Sequence, residues 1–138
     1  MRTVIKNSIL GVIGGAVYVC LEMIWRGHSH WTMFLLGAVC FMYSGIQNEY
    51  TSWDKPLLLQ SVQTAVFITV NEFFAGMIIN RWLGWNVWDY SNQPFNICGQ
   101  ICLPFSILWV LVGTAAIILD DYLRYWIFGE EKPHYKLL

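Results

Sequence analysis

Charged side chains are scarce in this chain. Asp, Glu, Lys and Arg make up 12% of its 138 residues, whereas soluble domains average about 25%. The net charge is -1 and the mean hydropathy is +0.47, so no basic surface for nucleic acid is expected. In lipid, only helices and closed barrels satisfy all their backbone hydrogen bonds. The apolar runs here are long and do not alternate with polar residues, which favours helices over a barrel. We therefore predict an all-α integral membrane protein.

Signature motifs of nucleotide-binding and hydrolytic enzymes are also missing. The sequence has no GxSxG, Walker, HExxH or Rossmann pattern. Without a nucleotide-binding loop the chain cannot hydrolyse ATP in the usual way, and we expect no cofactor. The four cysteines form no CxxC pair. His28, His30, Cys98 and Cys102 would be a possible zinc set, but solvated loop histidines and buried thiols are the preferred interpretation, so we predict no metal site.

Four apolar runs, of which the second is shorter than a usual span, predict a single transmembrane domain over residues 1–138. The predicted helices are 5–25, 31–46, 56–82 and 97–119, followed by a cytoplasmic tail at 122–138. Cytoplasmic loops carry more Lys and Arg than outer loops. With both termini cytoplasmic, Arg26 and Arg81 lie outside, and the inner side holds Arg2, Lys6, Lys55, Arg124, Lys132 and Lys136. This asymmetry predicts a four-transmembrane-helix bundle, N-in and C-in, in the cell membrane.

Small and polar residues recur along one face of three of the runs, which predicts that these faces contact other helices. In the third run this face carries Ser61, Thr69, Glu72, Gly76 and Asn80. The first run contains Gly11-xxx-Gly15, a contact that serves either dimerisation or packing inside the bundle, with the second preferred.

Two acids inside apolar runs, Glu22 and Glu72, are the sharpest functional signal. A charged side chain at a membrane helix centre costs about 2.5–3.5 kcal/mol on insertion scales, and such residues usually face the bundle or a wet cavity. Glu22 precedes Arg26 by four residues, so a structural ion pair and a functional role are equally favoured. Glu72 has no basic residue within two helical turns. We predict that it exchanges a proton or binds a cationic or hydroxyl-bearing ligand.

The loop at 83–96, on the predicted outer face, is longer and more aromatic than a simple connection requires. We expect an ordered loop that folds onto the bundle, although tryptophans there are also typical of an aromatic belt. Asp89 and Asn96 are good turn and N-cap residues, and a structural role for Asp89 is preferred to a site role. Pro104 predicts a kink in the fourth helix. The predicted substrate- or proton-binding set is Glu72, Glu22, Arg26, His28, His30, Asn80, Arg81, Trp88, Asp89, Tyr90, Asn96 and Gln100.

Three motifs give the chain a family resemblance from Tyr18 to Trp109. They are Glu22-x-x-x-Arg26-Gly27-x-Ser29-His30-Trp31, Glu72-x-x-x-Gly76 with Asn80, and Trp88-Asp89-Tyr90-Ser91-x-x-Pro94-x-Asn96-x-x-Gly99-Gln100-x-Cys102. This pattern resembles the putative ABC-transporter type IV family. The resemblance implies a small four-helix protein of the bacterial inner membrane with a permease-like role.

We expect a transporter or permease component with an outward-facing polar site built on the intramembrane glutamates. Its expected partners are membrane lipids, further copies of the chain in a homo-oligomer, and a small-molecule or lipid-like ligand. One alternative is a membrane enzyme acting on a lipid or lipid-linked headgroup, with His28, His30, Asp89, Glu72 and Arg81 as acid, base and phosphate-holding groups. A further alternative is a structural or holin-like assembly module, but this function would leave both buried acids unexplained.

Overall fold

The computed structural model describes residues 2–50 and 55–135, with the side chains of residues 48–50 left aside. Position 136, which enters the charge asymmetry, and the last residues of the predicted tail lie outside the described residues. Four helices account for most of this part of the chain, and it contains no strand. They are α1 (Arg2–Arg26), α2 (Trp31–Tyr50), α3 (Leu57–Gly76) and α4 (Leu103–Phe128). A π-helical segment, Met77–Trp82, continues α3 without a break.

Among the described residues, three helical segments are long and apolar enough to cross a bilayer. These are Arg2–Arg26, Leu57–Trp82 and Leu103–Phe128, whereas the apolar part of α2 is the shorter stretch Trp31–Gln47. A span needs roughly 20 residues because the hydrocarbon core is about 30 Å thick. The chain is therefore a membrane protein with helices able to span the bilayer.

The helices pack as two hairpins, α1 against α2 and α3 against α4, joined mainly through α2. Glycines bring α1 and α2 together: a Cβ on Gly15 would lie 2.7 Å from the Phe34 carbonyl oxygen, and one on Gly11 would overlap the Met42 side chain. The Gly11-xxx-Gly15 contact thus packs inside the bundle, as preferred. By contrast, α1 and α4 barely touch.

The fourth helix begins later and ends later than the sequence predicts. It starts at Leu103 rather than residue 97, because Cys98 and Gly99 have φ angles of 54° and 71° and Ile97 pairs with Ile101 in an antiparallel bridge. The predicted Asn96 N-cap is therefore wrong. Pro104 lies in the first helical turn, where its missing N–H breaks no helical hydrogen bond, so the predicted kink is also wrong. The helix ends at Phe128, where Gly129 supplies a left-handed C-cap.

The end of α4 carries a buried polar cluster just beyond residue 119, where the sequence predicts that the helix ends. Arg124 Nε lies 2.7 Å from Asp120 Oδ2, and Arg124 Nη2 donates to Asn7 Oδ1 on α1 at 2.9 Å. Asp120 is fully buried and Arg124 is 3% exposed. Glu130 pairs with Lys6 of α1. The residues that follow α4 therefore pack back on α1.

Candidate functional site

Glu72 lies on the inward face of α3 and is 2% exposed. Its two carboxylate oxygens accept hydrogen bonds from different elements. Trp109 Nε1 on α4 donates to Oε1 at 3.3 Å, and the Tyr90 hydroxyl donates to Oε2 at 3.1 Å. Neither donor carries a charge. No Lys or Arg pairs with Glu72 in the described part of the chain, so its carboxylate has hydrogen-bond partners but no counterion.

Tyr90 reaches Glu72 from residues 83–102, the segment called the aromatic loop below. Its ring stacks on Phe105 at 4.8 Å between centroids, and Phe105 in turn contacts Trp109 at 6.2 Å. Burial, and then the neighbouring Glu72 carboxylate, raise the pKa of the Tyr90 hydroxyl well above its usual range. Tyr90 therefore keeps its proton and acts as a donor to Glu72 at any ordinary pH.

Asn80 attaches the aromatic loop to the end of α3. It is 8% exposed; its Oδ1 accepts from the backbone N–H of Val87 at 2.6 Å, and its Nδ2 donates to Gln100 Oε1 at 2.8 Å. Trp88 Nε1 donates to the Gln100 carbonyl at 3.0 Å. Gly76 leaves the space for this contact, since a Cβ there would overlap Gln100 Oε1. Asn80, Trp88 and Gln100 thus position Tyr90, and Gln100 bonds Asn80 rather than Glu72.

Glu22 and Arg26 form the second part of the site. Arg26 Nε lies 2.6 Å from Glu22 Oε2, and Arg26 Nη1 donates to the Val87 carbonyl at 3.1 Å. The pair therefore links α1 to the same point of the aromatic loop that Asn80 holds. The Tyr18 hydroxyl, one turn below Glu22, is near enough to interact electrostatically with both Glu22 and Glu72.

A cavity of about 190 Å³ lies beside Glu72 within the bundle. All four helices line it, and nearly all lining side chains are apolar. The exceptions are Glu72, Tyr18, Trp109 and Ser44. The Glu72 carboxylate is therefore the acidic group of an otherwise apolar cavity.

The histidines and Arg81 do not join this arrangement. His28 and Arg81 are exposed. His30 Nδ1 accepts from the Thr32 backbone N–H at 3.2 Å, which is the N-cap bond of α2. Its ring also packs on Trp85, with 5.8 Å between centroids. Within residues 2–50 and 55–135, no group of three or more His, Cys, Asp and Glu side chains could hold a metal ion.

Asp89 and Asn96 shape the aromatic loop. Asp89 is exposed, and its carboxylate accepts from both the backbone N–H and the hydroxyl of Ser91; these bonds hold the pKa of Asp89 below its usual range. Asn96 donates to the Gln93 carbonyl at 2.9 Å and accepts from the Gly99 N–H at 3.1 Å. Both side chains therefore bond within the loop, as preferred for Asp89.

Trp109 and Tyr18 line the cavity beside Glu72, although neither belongs to the predicted set. Both lie on the inward helix faces that carry the small residues, and their rings meet edge to face at 6.4 Å. In the sequence, each of them is a large aromatic residue with a polar atom on a helix face otherwise made of small residues. Such a side chain must find a hydrogen-bond partner when buried, and for Trp109 that partner is Glu72.

Comparison with known proteins gives one family. The family model described as putative ABC-transporter type IV matches residues 5–130. No curated protein and no solved structure matches the chain. The matched region includes every residue of the Glu72 site, and the resemblance drawn from the three sequence motifs is confirmed.

Proposed function

The chain belongs to the putative ABC-transporter type IV family, and on this premise we propose that it is a permease component whose working group is the Glu72 carboxylate. In this role Glu72 exchanges a proton, or binds a small ligand, between the aromatic loop and the bundle interior.

The absence of a counterion at Glu72 carries the proposal. Of the three other buried acids of the described chain, Glu22 and Asp120 each have an arginine one helical turn away, and Asp121 accepts a hydrogen bond from the Tyr135 hydroxyl near the end of the described chain. Glu72 has only the neutral donors Tyr90 and Trp109. A buried acid kept only for structure is expected to be paired, whereas an intramembrane acid that a ligand or proton must reach has reason to be left unpaired.

We place both termini in the cytoplasm, with all four helices crossing the membrane and the aromatic loop on the outer face. The uneven distribution of Lys and Arg supports this orientation. The shorter α2 crosses if the bilayer thins locally beside it. Cysteine labelling at Asn92 and at Lys136, in a cysteine-free background, tests the topology. An impermeant reagent should label position 92 from outside and leave position 136 untouched until the cell is opened, and the reverse pattern would refute it.

We assign the transport unit to a homo-oligomer surrounded by lipid. Four helices enclosing a cavity of about 190 Å³ leave little room for a continuous pathway in one copy. A pathway formed between two or more copies of the chain is not limited by the space within one copy. The mass of the purified complex in detergent, measured by light scattering with the detergent contribution subtracted, should correspond to more than one chain.

Proton flux tests the role of Glu72 without knowledge of the substrate. Protein in vesicles that enclose a pH-sensitive dye should relax an imposed pH gradient, and Glu72→Gln should lower the rate to that of empty vesicles. Glu131→Gln is the matched control, since Glu131 is an exposed acid on the tail. Unchanged flux in Glu72→Gln would refute the proposal. Failure of this variant to assemble would instead make Glu72 a structural residue.

The alternative of a lipid-headgroup enzyme has less support. It requires His28, His30, Asp89, Glu72 and Arg81 to act together, but no hydrogen bond or ion pair of the described residues joins any two of them. His30 caps α2 and Asp89 bonds Ser91. The contacts of Glu72 favour the transport role over that set.

A further inference from the structure

The cavity beside Glu72 opens towards the face of the bundle that lipid would cover. Its lining residues on α1 include Val17 and Leu21, which are 38% and 52% exposed, and those on α4 include Ala115, which is also exposed. These exposed lining residues put the opening between α1 and α4, which contact each other at few positions. A molecule dissolved in the bilayer could therefore enter sideways, without crossing the aromatic loop.

The size of the cavity restricts its occupant to roughly one ring. An apolar cavity of about 150 Å³ in another protein binds benzene, and this cavity measures about 190 Å³. Typical ligand sites are larger, about 300–1,000 Å³. A two-chain phospholipid is far too large to be enclosed here, whereas a single aromatic or short branched group fits.

The charges around the cavity favour a cation. Glu72 lines it, the Glu22 carboxylate on α1 is close enough to interact with Glu72, and Arg26 compensates Glu22. The other titratable groups near Glu72 carry no positive charge: they are Tyr18 on α1, Cys40 on α2, and Tyr90 and Cys102 of the aromatic loop. One acid therefore remains uncompensated. The aromatic rings of Tyr18 and Trp109 add surfaces of the kind that attract ammonium ions.

We propose that the cavity between α1 and α4 binds a small lipophilic ammonium ion from the bilayer, with the cation at Glu72 and one ring-sized apolar group among the helices. The inference rests on the proposed permease role and names the ligand class of the same site. An ammonium ion and a proton would then compete for the Glu72 carboxylate, which is the property that an exchanger of the two requires.

Benzyltrimethylammonium is the ligand for the test, because it joins one ring to one fixed positive charge. Its binding to the full-length protein in neutral detergent is measured by calorimetry. Benzyl alcohol and phenylmethanesulfonate serve as the neutral and anionic counterparts. We expect saturable binding of the cation alone. Glu72→Gln should weaken it roughly thirtyfold or more, because one partner of a buried charge pair is lost.

A second pair of variants separates the cavity from the charge. Ala116 lines the cavity on α4, so Ala116→Leu should fill it and abolish binding. Ala16 is exposed on α1 and does not line it, so Ala16→Leu is the matched control and should bind as wild type. Equal binding to Glu72→Gln, equal binding of the sulfonate, or unchanged binding to Ala116→Leu would each overturn the inference.

The two proposals can fail separately. If Glu72→Gln abolishes proton flux but binds the ammonium ion as wild type does, the permease role stands and the placement of the cation at Glu72 is wrong. If Glu72→Gln loses ammonium binding but keeps proton flux, the cavity is a cation site and the proton-exchange role is wrong.

Discussion

Replacing Asn80 by alanine tests whether one side chain holds the aromatic loop on the bundle. Asn80 is buried and satisfies the Val87 backbone N–H and the Gln100 side-chain oxygen. Alanine reaches neither group. Leaving a buried polar group without a partner costs about 1–3 kcal/mol. Because Asn80→Ala leaves two such groups, we expect it to lower the stability of the protein by about 2–6 kcal/mol, mostly by lowering the free energy of loop opening.

Asn71→Ala is the control, because Asn71 lies on the same helix and also donates a side-chain hydrogen bond. Its Nδ2 donates to the Phe67 carbonyl at 2.8 Å. That carbonyl also accepts from the helix backbone, so the Asn71 substitution leaves no orphaned group. We expect it to cost less than about 1 kcal/mol.

Protease cleavage within the aromatic loop measures the free energy of loop opening. When reclosing is faster than cleavage, the cleavage rate follows the population of the open loop. A loss of about 2 kcal/mol raises this population roughly thirtyfold, so Asn80→Ala should be cut roughly thirtyfold faster or more, and Asn71→Ala nearly as slowly as wild type. Equal rates in the two variants would refute the reasoning, and rapid cleavage of the wild type would show that the loop is not held down.

Three further predictions follow from other contacts. Arg124→Met should destabilise the protein by about 3–5 kcal/mol because it leaves Asp120 buried without its cation, and a thermal melt in detergent without a large drop in Tm would contradict it. Gly76→Ala should lower the stability of the protein by about 1–3 kcal/mol, since the new methyl group overlaps Gln100. The aromatic loop of this variant should therefore be cleaved faster in the same protease assay. Asp89 has a lowered pKa in the folded loop. Its contribution to loop stability is therefore present above its unfolded pKa of about 3.9 and is lost as the pH falls through the lower folded value. Asp89→Asn should remove this loosening of the loop in acid, as measured by hydrogen exchange, and an unchanged pH profile in the variant would exclude Asp89 as its cause.

The helix pattern of this chain was predictable because it depends on local sequence. Long apolar runs predict helices, and the steps between Ser61, Glu72, Gly76 and Asn80 predict the inward face of α3, which the structure buries. The start of α4 was not predictable in this way. Residues 97–102 are as apolar as a helix start, but positive φ angles at Cys98 and Gly99 turn the chain, and Trp88 donates a hydrogen bond to the backbone of that turn.

The candidate site was predicted in part. Glu72, Tyr90, Asn80, Trp88 and Gln100 are together, as expected of one site. His28 is exposed and lies outside this group. Trp109 donates to Glu72, but the sequence does not indicate this partner because the two residues lie on different helices.

The sequence by itself determined that this is a helical membrane chain with two acids on inward faces, because hydropathy and helical spacing act within a few turns of each residue. Only the tertiary structure decided what surrounds the second acid: Glu22 pairs with Arg26 on its own helix, as their spacing already indicates, whereas Glu72 meets Tyr90 and Trp109 from other elements. Such partners lie far apart along the chain. Their meeting depends on how the helices are rotated and how the aromatic loop folds, and short-range sequence patterns carry no record of either.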